Sequence, residues 1–587
     1  MNTPANMKKF SVYGWVAFGL VCLMSCSNKS LKEAAYIPKD ASLVAVLDIK
    51  EMKTILKKNR LNIDSMILSL VNKNYPSPKI IISDSSQIIT ETIITHGDID
   101  LKIDKLFLFV QSKTLADNST SYSINILTNN DARQNEGFDS LSKEAMKKLK
   151  VQEEKSFSTF YYPELKCRVS SNDEVTLVTY FVHEVKPIYD TLEMRFKMPA
   201  DPNIENESKE EVATFFNQPL DQSMASVDYF TDMFKEKADG YLFSSSNSSI
   251  ATLKNSPFNL PKLEELLKDN YTSATLHFEQ GKIRVQSTNY FNPLLSSLLR
   301  QYAGPVINWS LVNDYPEGEI NMLALASFQP ALLGGLLQQL QLKSFADNFL
   351  SKSGLTLDDI LQAFKGELAV VVSDVRIQEP DPMKRRDERS LQQGMPGGKL
   401  LLRLPVGEKA SYQKLMQTGV RNGWLVKKGN VYQSAPDFNL LNLFVIGDQS
   451  NFFIASDEEV YANYMAAAGK KNKFLTSAPF QSYNSSSVLF YLNIASLARS
   501  LTRADESYSY HRASDIVAST LKEMTIASDN FDGRSVHNNV EVIMQDSKTN
   551  GLVSLIKMTK ALAEELNWFK LADDLPNIGK VDSTNKY

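Results

Sequence analysis

The residues with which this 587-residue chain could do chemistry are three cysteines, five histidines, a few adjacent carboxylates and scattered hydroxyls. Only one of them stands in a spacing that dictates its reaction. Cys26 closes the run Leu23-Met24-Ser25-Cys26, the Leu-x-small-Cys order of a lipobox. The order follows from the chemistry: a lipid is attached to the thiol, a peptidase then cuts before the cysteine, and a small residue must therefore precede it. Upstream, Lys8 and Lys9 form a positive n-region, followed by an apolar stretch over residues 10–24. That stretch of about 15 residues matches a signal-peptide h-region and is shorter than the ~20 that cross a bilayer as a mature helix. An N-terminal transmembrane helix and an ordinary secreted signal are the alternatives. Met7, directly before two lysines, is a natural start in its own right.

The expected organisation is therefore a lipoprotein signal peptide over 1–25, then a lipidated Cys26 and its tether over 26–38. Two or three acyl chains suffice for stable attachment, which makes the membrane the first expected partner. Ser27-Asn28-Lys29 follows the cysteine, with no aspartate and no acidic run before Glu33. An outer-membrane lipoprotein facing the periplasm is the expected address.

The other candidates carry bland explanations. No two of His96, His183, His277, His511 and His537 lie within four residues of each other, so no helical two-histidine metal site is expected, and no metal or cofactor. No Gly-x-Ser-x-Gly elbow occurs. Gly394-Met395-Pro396-Gly397-Gly398-Lys399 lacks the spacing of a phosphate loop and precedes a strand, so a flexible loop is expected. Asp358/Asp359 and Glu458/Glu459 are neighbours at helix starts, where capping explains them and a shared acid–base role does not. The aromatic runs Phe160-Tyr161-Tyr162 and Tyr508-Ser509-Tyr510 read as core or interface material. No catalytic residue is assigned.

Composition narrows the class further. Without residues 1–25 the chain has 62 basic and 68 acidic side chains, a mildly acidic balance that offers no general attraction to nucleic acid. With Cys22 in the signal and Cys26 lipidated, Cys167 is left alone, so no intramolecular disulfide can form. Its strand-like surroundings, Leu165-Lys166-Cys167-Arg168-Val169, predict a buried structural thiol. Lys384-Arg385-Arg386 is interleaved with Asp387 and Glu388 in a solvated excursion over 377–398.

Three local patterns occur in order and then recur. A Pro-containing turn launches a strand that hands over to helical spacing, from Ser42 and again from Ile320. A second strand–helix unit starts at Ala238 and again at Ser485. A hairpin followed by a helix starts at Thr272, with its turn at Glu279-Gln280-Gly281, and again at Glu523, with its turn at Asp532-Gly533. In the second half, a capping box from Thr356 to Asp359 and a Ser456 cap completed by Glu459 mark two further helix starts. The predicted fold is α+β: two tandem duplicated units, 39–312 and 313–570, of mostly antiparallel sheet with helices packed on one face. A polar tail is expected over 571–587.

The lipobox, the run Ile37-Pro38-Lys39-Asp40-Ala41-Ser42, the strand Val44-Ala45-Val46-Leu47-Asp48 and Phe364-Lys365-Gly366-Glu367-Leu368 resemble an uncharacterised family of Bacteroidota envelope lipoproteins, domain of unknown function 4836. The resemblance spans nearly all of the mature chain, implies an envelope location and carries no assigned activity. The expected function is a membrane-anchored, non-enzymatic binding or structural module with a protein, peptide or glycan partner. The alternative is an envelope hydrolase whose site is assembled from distant residues, among them His183, His277, His511 and His537.

Overall fold

The computed structural model describes residues 31–61, 104–114, 120–129, 150–163, 167–183, 188–190, 195–197, 204–247, 250, 262–377, 396–436, 443–477, 480, 482–500 and 508–565. The signal segment, Cys26, the excursion over 378–395 and the tail over 571–587 lie outside the described residues. Contacts group the chain into two compact units. One gathers residues up to Leu47 and from Leu101 to Phe243; the other takes Asp48–Asp100 and everything from Ser244 onward.

In the first unit the turn at Pro38 launches β1 (Leu43–Asp48), and the chain then passes into helix α1 (Ile49–Lys58), which belongs to the second unit. Asp48 caps α1 by accepting the Glu51 amide at 2.8 Å. Val44 and Val46 alternate into the core. β2 (Lys105–Thr114), β3 (Thr120–Asn129), β4 (Gln152–Glu153), β5 (Ser158–Tyr162), β6 (Cys167–Ser171), β7 (Val175–His183) and β10 (Gly240–Ser245) complete the sheet, in the order β4-β5-β6-β7-β3-β2-β1-β10. β8 (Ile188–Asp190) and β9 (Arg195–Lys197) form a separate hairpin. Helix α2 (Ile204–Asn217) buries Ser208, Val212 and Phe215, one face at helical spacing, against this sheet. Phe215 meets Phe109 edge-on at 5.5 Å. Helix α3 (Asp228–Asp232) precedes β10.

β6 is covered on both sides, so its alternation is lost. Cys167 is buried there as expected, and burial pushes its thiol pKa up. A thiol reagent is therefore expected to leave Cys167 untouched in the folded chain and to label it on denaturation. Labelling at the rate of a free thiol under native conditions would contradict this burial. Its neighbour Arg168, 1% exposed, is the largest fully buried side chain among the described residues.

The second unit opens with helix α4 (Leu263–Leu267), the hairpin β11 (Tyr271–Glu279) and β12 (Lys282–Tyr290), and helix α5 (Pro293–Gln301), capped by Asn292. Then come β13 (Ile320–Ser327), α6 (Ala331–Gln339), α7 (Lys343–Ser351), α8 (Leu357–Ala363), β14 (Glu367–Ile377), β15 (Pro396–Pro405), α9 (Lys409–Arg421), β16 (Leu425–Lys428), β17 (Val431–Ser434), β18 (Phe444–Gly447), β19 (Asn451–Ala455) and α10 (Glu458–Ala466). β20 (Ser486–Leu492), α11 (Ile494–Ser500), α12 (Tyr508–Thr520), β21 (Leu521–Asp529), β22 (Ser535–Met544) and α13 (Gly551–Glu565) close the chain. The strand order is β11-β12-β22-β21-β20-β13-β14-β15-β19-β18-β17-β16, antiparallel at every step. The α+β class, mostly antiparallel, is thus the observed one. Leu323, Leu325, Val371, Phe453 and Leu489 centre the core. Leu56 of α1 docks on Leu552 and Val553 of α13, each such burial contributing roughly 1.5–3 kcal/mol. Among the described residues no helix is long and apolar enough to cross a membrane.

The compact units are not the expected repeat units. β12 of the first hairpin zips onto β22 of the second over nine residue pairs, which draws the first hairpin into the second unit. Several local expectations also shift. The Asp532-Gly533 turn is part of a longer connection over 530–534, in which Asp532 accepts the Arg534 and Ser535 amides at 2.7 Å. Helix α10 is capped by Asp457, which accepts the Val460 amide at 2.8 Å, and not by Ser456. Ser456 instead ties β15 through its backbone N–H to Leu400 at 2.9 Å. The Thr356–Asp359 capping box forms as expected. Pro396 to Gly398, expected as loop, begins β15: a proline is tolerated at the first residue of a strand, where its missing N–H breaks no ladder.

Candidate functional site

Each sequence candidate can be placed within this frame. Cys26, His96 and the cluster Lys384-Arg385-Arg386 lie outside the described residues. His183 ends β7, and its side chain is not described. His277 lies on β11, its Nε2 3.2 Å from the Thr275 hydroxyl. His537, on β22, is held by the Thr288 hydroxyl at 3.1 Å and by Asp532 at 3.4 Å. His277 is opposite Arg284, which is opposite Glu541, four residues beyond His537. Two strand spacings and four residue rises separate the two histidines by roughly 16 Å. His511 is half-buried on α12. These groups are not brought together.

The carboxylate pairs are absorbed locally. Asp358 bonds Lys343 at 3.3 Å, and Asp359 closes the capping box while pairing with Lys414 at 2.6 Å. Burial pushes the Asp359 carboxyl up, but the hydrogen bonds from Lys414 and Thr356 outweigh it and hold the group below the usual carboxylate range. Glu458 and Glu459 sit in the first turn of α10. Phe160 is core, and Tyr161 lies under the Arg168 guanidinium at 5.6 Å. The side chains of Tyr508 and Tyr510 are not described. Among the described residues no three metal-ligating side chains converge.

Described residues of the second unit line two clefts. The first, of about 340 Å³, is lined by Tyr315, Ser373, Asp374, Lys399, Asn463 and Lys470. The Pro316-Glu317-Gly318 turn that launches β13 forms one wall, while β14, β15 and α10 supply the rest. Asp374 sits at the bulge between Ser373 and Arg376 with φ +52, a left-handed conformation unusual for a side-chain-bearing residue. It is held there by Lys399 at 2.7 Å. The Tyr315 hydroxyl lies 3.0 Å from Ser373. Burial is the main reason its pKa rises above the ordinary tyrosine value, so it stays protonated at neutral pH. Lys399 is also pushed up, chiefly by its bond to Asp374, and stays charged. Neither group is set up as a base at neutral pH; the arrangement supplies hydrogen-bond donors and a fixed ion pair to a bound molecule.

The second cleft, of about 580 Å³, lies between the α7–α8 connection at Gly354, helix α9, and the β16–β17 hairpin. Lys414, Gln417 and Arg421 recur at helical spacing on one face of α9, while Lys427 and Tyr432 reach in from the hairpin. The hairpin can approach because Gly419 has no side chain: a Cβ there would stand 2.7 Å from Leu425 Cδ1. Tyr432 is buried, with Lys427 Nζ 5.6 Å from its ring centroid. Arg421 is anchored through Nη2, which donates to Thr418 Oγ1 at 2.8 Å and to the Ser353 carbonyl at 3.4 Å. Sequence reading missed this site. The Lys414-x-x-Gln417-x-x-x-Arg421 spacing was the available signal; Lys427 and Tyr432 come from a hairpin whose docking no local pattern specifies.

Close by, α6 and α7 contribute no fully buried side chain, and Leu333, Phe345 and Phe349 are exposed on them. Comparison with family models, with curated proteins and with solved structures gives no match for this chain.

Proposed function

We propose that this chain is a membrane-anchored envelope lipoprotein, periplasm-facing at the outer membrane, that binds a partner without transforming it. The observation that carries the reading is the lipobox Leu23-Met24-Ser25-Cys26 behind a basic and apolar leader. Its resemblance to the Bacteroidota lipoproteins of domain of unknown function 4836 supports it. The two polar clefts support a binding role, because each offers fixed donors and charges in a volume suited to a small ligand or one group of a larger one. The separation of His277 from His537 counts against the hydrolase alternative.

The same reading includes the tandem duplication. Along the first half the strands lie in the order fourth, fifth, sixth, seventh, third, second, first, then β10. The second half repeats it as β16-β17-β18-β19-β15-β14-β13-β20. Superposition of β1–β7 and β10 on β13–β20 with matching strand directions is expected, and failure to overlay would remove duplication as the explanation.

Metabolic labelling with a palmitate analogue tests the anchor. Wild type is expected to carry label and to partition into membranes, and Cys26→Ser to lose the label and accumulate as uncut precursor. Equal labelling of the two would overturn the lipoprotein reading.

A further inference from the structure

We propose that the cleft between α9 and the β16–β17 hairpin is a binding site for a phosphate-bearing small ligand. The inference rests on the reading of this chain as a binding protein and names the ligand class of one of its clefts. Three of the lining side chains, Lys414, Arg421 and Lys427, are cationic, and none of the lining residues is a carboxylate. This positive patch stands on a chain with more acidic than basic side chains. Among the described residues the only ion pair at the cleft is that of Lys414 with Asp359. Arg421 and Lys427 have no carboxylate partner among the described residues, and a dianion entering the cleft would supply the missing countercharge.

The donors suit a phosphate more than a point anion. Arg421 makes both of its bonds through Nη2, so its Nε and Nη1 N–H groups remain to donate to a phosphate oxygen. Lys427 is exposed and stands over the Tyr432 ring on the opposite wall. Gln417 supplies an amide between them in sequence and on the same helical face as Lys414 and Arg421. The uncharged part of the ligand has an apolar surface to rest on: Val420, 37% exposed, lines the same cleft beside Tyr432. A cleft of about 580 Å³ admits a phosphorylated ring with room to spare. Gly354, at φ +72, carries the α7–α8 connection past Arg421, where a Cβ would stand 3.5 Å from Arg421 Nη2.

The test is calorimetric titration of the full chain, purified in non-ionic detergent at low ionic strength, with glucose 1-phosphate. Saturable binding is expected, with none for glucose, and added salt is expected to weaken it. Lys427→Gln and Arg421→Gln are each expected to weaken binding about tenfold, the loss of one charge-assisted contact. Lys560→Gln, an exposed lysine on α13, is expected to bind as wild type. Among the described residues the Lys427 side chain makes no hydrogen bond or ion pair, and glutamine keeps most of its length over the Tyr432 ring, so its variant keeps the test decisive even if Arg421→Gln fails to fold.

Competition identifies the source of the phosphate. Displacement by short-chain phosphatidylglycerol assigns it to a lipid headgroup, and indifference assigns it to a soluble ligand. No binding of glucose 1-phosphate, inorganic phosphate or phosphatidylglycerol by wild type, or equal binding by wild type and Lys427→Gln, would overturn the site and leave the lipoprotein reading intact. Release of inorganic phosphate from bound glucose 1-phosphate would instead overturn the non-enzymatic reading.

Discussion

Gly366→Ala is expected to prevent the second unit from folding stably. Gly366 has φ +82, and its carbonyl accepts the Phe328 amide at 3.0 Å. A Cβ built there would overlap the Phe328 carbonyl oxygen and stand 2.7 Å from Pro330 Cδ. The left-handed conformation alone costs a non-glycine residue about 1–2 kcal/mol. The overlap is with backbone, so relief requires moving the Phe328–Pro330 link between β13 and α6, or β14 itself. A total above about 4 kcal/mol is expected, in the range reserved for severe lesions. Gly429→Ala is the control: its φ is +62 in the β16–β17 turn and nothing lies within 4 Å of the added carbon. It is expected to lose only the conformational part, about 1–2 kcal/mol. Urea unfolding followed by circular dichroism separates the two, and similar midpoints for both variants would refute the steric account. Gly366 belongs to the Phe364-to-Leu368 run, and this geometry gives that run a structural reason.

Arg168→Ala is expected to destabilise the first unit by about 3–5 kcal/mol, while Arg168→Met costs about 1 kcal/mol or less. The guanidinium donates to Ser208 Oγ at 2.9 Å, to the Glu205 carbonyl at 2.7 Å and to Thr159 Oγ1 at 3.3 Å. Burial pushes the Arg168 pKa down, with Glu205 opposing. Alanine empties a fully buried volume between β6 and α2. Methionine refills most of it and removes the charge that had to leave water. The former partners are not orphaned, because Ser208 still donates to the Glu205 carbonyl at 2.8 Å and Thr159 remains 2.7 Å from Ser170. Hydrogen exchange of the β5–β7 amides reads the effect within this unit. Equal losses for alanine and methionine would show that the charged network, and not the filled volume, holds the helix to the sheet.

Much of the fold was legible locally. The hairpin turn over 280–281 and the Thr356–Asp359 capping box are short-range chemistry, set by a glycine at the turn in one and by a side chain that satisfies an amide three residues away in the other. The placement of the α10 cap failed by one residue. Both Ser456 and Asp457 can cap, and the choice fell to Asp457 once the Ser456 backbone was drawn into a bond with β15. Arg168 was read only as part of a strand flanking a thiol, because alternation cannot reveal a strand covered on both faces. The phosphate cleft was invisible for a similar reason: its charges come from α9 and from a hairpin that meet only when Gly419 lets Leu425 close in.

The amino-acid sequence by itself determined the α+β class, the alternation that buries Val44, Val46, Leu323 and Leu325, the hairpin–helix succession after Thr272, and the burial of Cys167. These are set by side chains within a few positions of one another, through period, turn and cap. Tertiary structure alone decided that β12 would pair with β22, that Arg168 would lie buried under α2, that Asp374 would be held left-handed at a bulge, and that three cations would share one cleft. Each of these depends on residues far apart in the chain, whose meeting is fixed by the packing of whole elements and by backbone approach at single glycines, and not by local propensity.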